Sequence, residues 1–125
     1  MLALSWNVRG FGRREKWRAV RKSVYLLKLV MLFIQESKLG VFDNSVVRSL
    51  GGSLLTRGVG VKAEGSAGGL ISLWNDDLFK VHSCISCKRC IILAGELTSL
   101  NKQVFFVMFM RPILKTKEDC RGILS

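Results

Sequence analysis

The feature that most constrains the fold of this chain is a pair of apolar runs near its amino terminus. The runs Leu2 to Asn7 and Leu29 to Gln35 have the length and composition of buried strands. The segment between them, from Arg13 to about Lys28, carries apolar side chains at three- and four-residue spacing, which predicts an amphipathic helix. A strand, a helix and a second strand in this order are strongly biased towards right-handed parallel pairing. We therefore expect the two strands to lie side by side in one sheet.

Each of these strands leads into a side chain that can bind a metal ion or a phosphate. Asn7 closes the first strand, and Glu36 follows the second. Because parallel neighbours end at the same edge of a sheet, we expect both residues to lie at that edge, where open α/β sheets place their sites. The simpler alternatives are a solvated loop glutamate that pairs with Lys38 and an asparagine that bonds its own backbone.

The remainder of the chain predicts one short helix and several strands. Phe42 to Leu50 favours the helix, and the Gly-rich segment from Gly51 to Gly69 has room for one or two weak strands around Leu54 and Val59. A parallel unit followed by hairpins suits one sheet of a two-sheet α/β sandwich. The other predicted elements are strands at Gly69–Trp74, Phe79–Ser83, Cys90–Leu97 and Gln103–Met110, and a terminal helix at Lys115–Leu124.

Charge narrows the range of partners. The 20 Lys and Arg residues against 9 Asp and Glu residues give a net charge of +11, which favours a polyanion such as nucleic acid over a merely basic surface. Arg9 and Lys38 flank Asn7 and Glu36, so they are the better candidates for contacts with a DNA backbone. The sequence shows no secretory signal and no apolar run near the about 20 residues that cross a bilayer. We expect an intracellular protein, nuclear or cytoplasmic, without a membrane partner.

The cysteines form a pattern of their own. Cys84, Cys87 and Cys90 have C-x-x-C-x-x-C spacing, with Cys120 as a distant fourth, and such spacing can indicate an iron–sulfur or zinc site. A repeat of three does not match the two-residue period of a strand, so we expect incidental free thiols instead. The only histidine, His82, is expected to be an exposed or half-buried strand residue.

Three segments resemble, in order and at family spacing, the motifs of the endonuclease/exonuclease/phosphatase superfamily. They are Leu4–Gly12, Gln35–Lys38 and Gly68–Trp74. The first is similar, more narrowly, to the start of endonuclease domains in LINE-type retrotransposons of plant genomes. The resemblance runs from Met1 to about Pro112. It implies a DNase I-like two-sheet α/β sandwich, of which residues 1–125 would be the amino-terminal part, truncated before the rest of the domain.

The resemblance also implies roles for individual residues. In such enzymes the glutamate holds a divalent metal, and the asparagine lies beside the metal and the scissile phosphate. These roles pass by resemblance to Glu36 and Asn7, with Mg²⁺ or Mn²⁺ as the ion and a phosphodiester in DNA as the substrate. The family spans DNA, RNA and small phosphate esters, and the sequence does not choose among these substrates.

The chain departs from the family in two respects. Met110 stands where the family has a tyrosine that lines the site, and the family's downstream Asp-x-Asn and Asp-His motifs are not in the sequence. We therefore expect the isolated chain to be inactive or nearly so. The alternatives are a non-catalytic basic fragment that binds nucleic acid, a small Cys-liganded metal module and a fragment without a stable fold.

The resemblance has a consequence for the surface as well. Much of the second sheet of the family fold is expected to be missing, which would leave an apolar sheet face exposed. Such a face predicts poor solubility, oligomerisation or pairing with a separate carboxy-terminal half.

Overall fold

Seven strands and two helices make up residues 2–65 and 68–109, the part of the chain that the computed structural model describes. The predicted strand, helix and strand at the amino terminus are all present, and the helix is one residue shorter at each end than expected. In chain order the elements are β1 (Leu2–Asn7), α1 (Arg14–Leu27), β2 (Leu29–Gln35), α2 (Asn44–Gly51), β3 (Arg57–Val61), β4 (Leu70–Trp74), β5 (Phe79–Cys87), β6 (Cys90–Leu97) and β7 (Lys102–Phe109).

The first sheet has four strands in the order β1-β2-β4-β3. The strands β1 and β2 are parallel, as the sequence predicts. The prediction that β1 is buried is wrong, because β1 lies at the edge of the sheet and its residues are exposed or half-buried. In contrast, β4 runs antiparallel to both of its neighbours, β2 and β3. All five residues of β4 are buried, because both faces of the sheet are covered at this strand.

The helices cover one face of this sheet. Val20 and Val24 of α1 and Leu50 of α2 form one core with Leu32 and Ile34 of β2. The apolar spacing of α1 thus buries a stripe against the sheet, as an amphipathic helix should.

A second sheet, β5-β6-β7, covers the opposite face. Its strands pair antiparallel through two hairpins. Phe79 and Leu93 pack with Met31 of β2 in a second core, and the Ser72 hydroxyl donates a hydrogen bond to the Met108 sulfur at 3.4 Å. The predicted hairpins therefore form a sheet of their own, and the architecture is a two-sheet α/β sandwich with helices on one side.

The Gly-rich segment contains one strand, β3, which includes Val59, whereas Leu54 lies in a turn. Gly60 explains why this strand reads weakly in the sequence. A Cβ at Gly60 would overlap the ring of Phe42. Glycine at this position therefore lets the ring pack directly against the strand backbone.

The strand β5 is longer than predicted, because its pairing with β6 continues to Cys87 instead of stopping at Ser83. A bulge between Val81 and Ser83 shifts the register. Since a bulge interrupts strict alternation of the faces, the second half of β5 has no two-residue pattern by which the sequence could reveal it.

The outer face of the second sheet is apolar and uncovered. Phe105 is 75% exposed, Ile85 59%, Phe109 55% and Val107 50%. An exposed apolar face is thus present, but it is the outer face of β5-β6-β7 and not a face of the first sheet, because the second sheet has enough strands to cover the first.

Several sequence predictions fall outside the described residues. They concern Met110, the strand end at Pro112, the terminal helix Lys115–Leu124 and Cys120. Among residues 2–65 and 68–109, no helix is long and apolar enough to cross a membrane.

Candidate active site

The pairing of β1 with β2 brings Asn7 and Glu36 to the same edge of the first sheet. Asn7 lies opposite Gln35 in the parallel register, and Glu36 is the next residue along β2. The ladder continues beyond the strands, because Val8 N–H donates to the Gln35 carbonyl at 3.1 Å and Gly10 N–H donates to the Glu36 carbonyl at 2.7 Å. The two loops that leave β1 and β2 therefore run side by side.

A third loop joins them from the start of β4. Because β4 is antiparallel to β2, its first residues lie at this same edge. Ser37 N–H donates to the Gly69 carbonyl at 3.2 Å, and Lys38 N–H donates to the Gly68 carbonyl at 2.8 Å. The three segments that resemble family motifs thus meet at one place in the fold.

The backbone at this edge is unusually strained. Arg9, Glu36 and Lys38 have φ angles of 53°, 52° and 56°, in the left-handed region that residues other than glycine seldom adopt. Such conformations cost of order 1–3 kcal/mol each and tend to occur at functional sites. Here the hydrogen bonds between the loops hold them in place.

The Asn7 side chain makes the local hydrogen bond that the simpler alternative expects. Its Oδ1 accepts from the Arg9 N–H at 3.1 Å, which closes a turn over the strand end. The residue is exposed. Because this bond engages the amide oxygen, the NH₂ group of Asn7 is better suited to donate to a phosphate oxygen.

The Glu36 side chain is half-buried, and it does not form the ion pair with Lys38 that the simpler alternative predicts. The ion pairs within residues 2–65 and 68–109 join Asp76 to Arg57 and Lys80, and Glu64 to Lys88. The Glu36 carboxylate is therefore not spent on an ion pair with Lys38 in this part of the chain.

A divalent metal suits these two residues only in part. Carboxylate and amide oxygens are the donors that Mg²⁺ and Mn²⁺ prefer, and Mg²⁺ commonly binds one or two carboxylates while keeping several waters. However, no group of three or more His, Cys, Asp or Glu side chains in the described ranges is placed to hold a metal ion. Glu36 would supply carboxylate oxygen to a hydrated ion, whereas the Asn7 Oδ1 already accepts from the Arg9 N–H.

The two predicted DNA-contacting cations flank the edge, as their positions in the sequence suggest. Arg9 and Lys38 are both exposed. A Cβ at Gly10 would lie 3.0 Å from Cδ of Lys38, so the Lys38 stem lies against the loop after β1. Both cations thus sit on the loops that carry Asn7 and Glu36.

Two residues of α1 support the loop after β1 through hydrogen bonds that the sequence does not predict. Lys16 Nζ donates to the Val8 carbonyl at 2.8 Å and to the Arg9 carbonyl at 3.4 Å, and the Trp17 indole N–H donates to the Phe11 carbonyl at 3.1 Å. In the sequence Lys16 belongs to the basic residues of this helix, most of which are expected on a solvated face. Nothing in the local pattern distinguishes it from the other basic residues of this helix.

The remaining titratable candidates lie elsewhere in the fold. His82 is exposed on β5 at the bulge, and Cys84, Cys87 and Cys90 lie on the β5–β6 hairpin. All three cysteines are strand residues, and the turn between the two strands is Lys88–Arg89.

The comparisons with known proteins support the fold. No protein-family model matches the sequence, and no curated protein matches it. Among solved structures, the crystal structure of the AP endonuclease LMAP from Leishmania major is similar, with a TM-score of 0.67 and 16% sequence identity over 88% of this chain. The chain spans 40% of the length of that protein. The fold class is therefore the two-sheet α/β sandwich of the DNase I-like type.

Proposed function

We propose that residues 1–125 are the amino-terminal part of a divalent-metal-dependent phosphodiesterase domain that acts on DNA. The meeting of the three motif-bearing loops at one sheet edge is the observation that carries the proposal. Asn7 and Glu36 come to that edge on neighbouring parallel strands, and a hydrogen bond from the Gly10 N–H holds the strained backbone of Glu36 in place. The likeness of the fold to an endonuclease structure adds support at the level of architecture.

Each residue of the edge has a distinct role in this proposal. The Glu36 carboxylate helps to hold the ion, and the NH₂ group of Asn7 donates to a phosphate oxygen. Arg9 and Lys38 bind neighbouring phosphates of the backbone by charge. A bound Mg²⁺ or Mn²⁺ would polarise a phosphoryl oxygen and stabilise the leaving alkoxide.

We expect this chain by itself to hydrolyse DNA weakly or not at all. Its one histidine, His82, lies on β5 and does not belong to the edge. General acid–base catalysis contributes about 10²–10⁴-fold in typical enzymes, so a site without it loses most of its rate. A Mg²⁺-dependent plasmid-nicking assay tests this expectation, and strong nicking that Glu36→Gln abolishes would contradict it.

A separate measurement tests the metal site without relying on activity. Mn²⁺ broadens the NMR signals of nearby nuclei, so titration with Mn²⁺ should first weaken the amide signals of Asn7, Arg9 and Glu36. Glu36→Gln should remove this selectivity, whereas Glu15→Gln on α1 should leave it unchanged. Uniform broadening over the whole surface in the wild-type protein would exclude a metal site at this edge.

A second candidate is a non-catalytic fragment that binds nucleic acid by charge, and the net charge of +11 favours it. Its binding would need no metal, would survive Glu36→Gln and would weaken steeply with salt. Each phosphate contact adds about 0.9 to the slope of log K against log salt concentration. Arg9→Gln combined with Lys38→Gln should therefore reduce the slope by about 2, while Arg57→Gln serves as a control.

The exposed outer face of the second sheet suggests that a partner covers it. We propose that a separate carboxy-terminal half, or a second copy of this chain, covers the outer face of β5-β6-β7. The exposure of Phe105, Val107 and Phe109 supports this. Co-expression with the downstream coding sequence tests the first option, and sedimentation of the isolated chain tests the second.

The resemblance to plant LINE-type endonucleases leads us to propose a retrotransposon origin and a nuclear or cytoplasmic location. Genomic sequence downstream of the coding region tests the origin, because an in-frame or frame-shifted Asp-x-Asn and Asp-His would be expected there. Imaging of a tagged chain in cells tests the location.

A further inference from the structure

The hairpin between β5 and β6 places two thiols side by side. Cys87 and Cys90 are direct cross-strand partners, with Lys88 and Arg89 as the turn between them. Direct partners in antiparallel strands share a face and have Cα atoms about 4.5–5.5 Å apart. A disulfide requires about 4.4–6.8 Å between Cα atoms, and the separation of direct cross-strand partners lies within this range.

The two thiols differ in their surroundings. Cys87 is exposed, whereas Cys90 is half-buried beside its other cross-strand neighbour, Phe109. Burial raises the pKa of the Cys90 thiol, and a hydrogen bond and the charge of Cys87 raise it further. The direct cross-strand pairing of the two residues accounts for this mutual influence. Lys88 pairs with Glu64 at 3.4 Å, so Arg89 supplies the unbalanced positive charge at the turn, which favours an anionic reaction partner.

The third cysteine of the motif has the same spacing but a different place in the fold. Cys84 lies opposite Leu93, which is buried on the inner face of the sheet, whereas Cys87 and Cys90 share the outer face. Two residues separate Cys84 from Cys87, just as two separate Cys87 from Cys90. Because positions three apart on a strand face opposite ways, Cys84 and Cys87 lie on opposite faces. The fold therefore selects one of two pairs that the sequence treats alike.

We propose that Cys87 and Cys90 form a reversible dithiol–disulfide pair that reacts with low-molecular-weight disulfides of the glutathione class. The Cys87 thiolate attacks one sulfur of glutathione disulfide, forms a mixed disulfide and releases one glutathione thiolate. The Cys90 thiolate then attacks the Cys87 sulfur and releases the second glutathione. The protein loses two electrons and two protons, and one glutathione disulfide becomes two glutathione molecules.

Trypsin offers a direct test, because its cleavage sites at Lys88 and Arg89 lie between the two cysteines. The reduced full chain is equilibrated with glutathione disulfide, and free thiols are then blocked with N-ethylmaleimide before digestion. The native protein should yield peptides 81–88 and 90–102 joined by a bond that a reductant breaks. Two of the four thiols should escape alkylation.

Three variants separate this pair from the other cysteines. Cys84→Ser should keep the joined peptides at the wild-type level, whereas Cys87→Ser and Cys90→Ser should reduce them to background. A joined peptide that persists in Cys87→Ser, or that disappears in Cys84→Ser, would overturn the proposal.

Denaturant supplies a further control within one sample. In the unfolded chain the equal spacing should make the 84–87 and 87–90 disulfides form in similar amounts, whereas the folded chain should form the second almost alone. Equal amounts in the folded protein, or no disulfide there at all, would show that the hairpin does not create a redox pair.

Discussion

The backbone N–H of Gly10 donates to the carbonyl oxygen of Glu36 at 2.7 Å, and this bond ties the loop after β1 to the loop after β2. It extends the parallel ladder past Asn7 and Gln35, the last paired residues of the two strands. Because the bond acts on the backbone of Glu36 itself, the position of the carboxylate depends on the loops as well as on the strands. Residues that stabilise the loops should therefore control the site from outside it.

Gly69 is the first such residue. Its φ is +94°, and a Cβ there would overlap Ser37 Oγ and lie 3.1 Å from the Lys38 backbone nitrogen. We expect Gly69→Ala to lower the free energy of unfolding by about 1–3 kcal/mol, because it adds backbone strain and pushes the loop after β2 away. Chemical denaturation measures the change. Gly40→Ala is the matched control, since a Cβ at Gly40 meets nothing within 4 Å. Equal stability of the two variants would contradict the prediction.

Lys16 holds the loop after β1 from the helix side. Its ammonium group donates to the carbonyls of Val8 and Arg9. Lys16→Met keeps most of the aliphatic stem but removes both hydrogen bonds, and we expect a loss of about 1 kcal/mol of stability. Amide hydrogen exchange should also become faster at residues 8–11. Arg18→Met, at an exposed position on the same helix, should change neither the stability nor the amide exchange. If Arg18→Met had the same effects as Lys16→Met, loss of a positive charge would explain them and the hydrogen bonds would not.

The sequence predicts the first strand pair and its helix nearly to the residue, because the apolar runs are long and the helical spacing is regular. It also predicts that Asn7 and Glu36 reach one sheet edge, which follows from parallel pairing alone. The roles of the two side chains stay predictions, because spacing says nothing about what binds there.

Other features depend on contacts between distant segments, which no local pattern reveals. The division into two sheets is decided by packing of β6 and β7 on β2 and β4, and the extension of β5 follows a bulge that breaks its alternation. Lys16 looks like any other cation of α1 until the loop after β1 lies beside it. The left-handed backbone of Glu36 likewise depends on the bond from Gly10 and on the bonds that Ser37 and Lys38 make to the loop before β4.

Asp43 caps the N-terminus of α2, and its contribution to stability should be lost in acid. The Ser45 hydroxyl and then the backbone N–H of Val46 donate to its carboxylate, and these bonds lower the pKa of Asp43. Since the folded pKa is below the unfolded one, the stabilisation is present above the unfolded pKa and is lost as pH falls through the folded one. The wild-type Tm should therefore fall more steeply than that of Asp43→Asn below about pH 4, because asparagine caps a helix at any pH. Parallel Tm curves, or an equal effect from Asp77→Asn, would argue against this origin.

Two adjacent phenylalanines of β7 should respond to substitution in opposite ways. Phe105 is 75% exposed on the outer face, whereas Phe106 points inward and its ring centroid lies 5.7 Å from that of Phe33 and 5.3 Å from that of Phe79. Phe105→Ser should leave the free energy of unfolding within about 0.5 kcal/mol of wild type and should raise the soluble, monomeric fraction, because it interrupts the exposed apolar face. Phe106→Ala should cost roughly 3 kcal/mol, at the lower end for loss of a core phenylalanine. Denaturation and sedimentation measure the two effects. If Phe105→Ser destabilised the fold as much as Phe106→Ala, the outer face would have to be covered in solution.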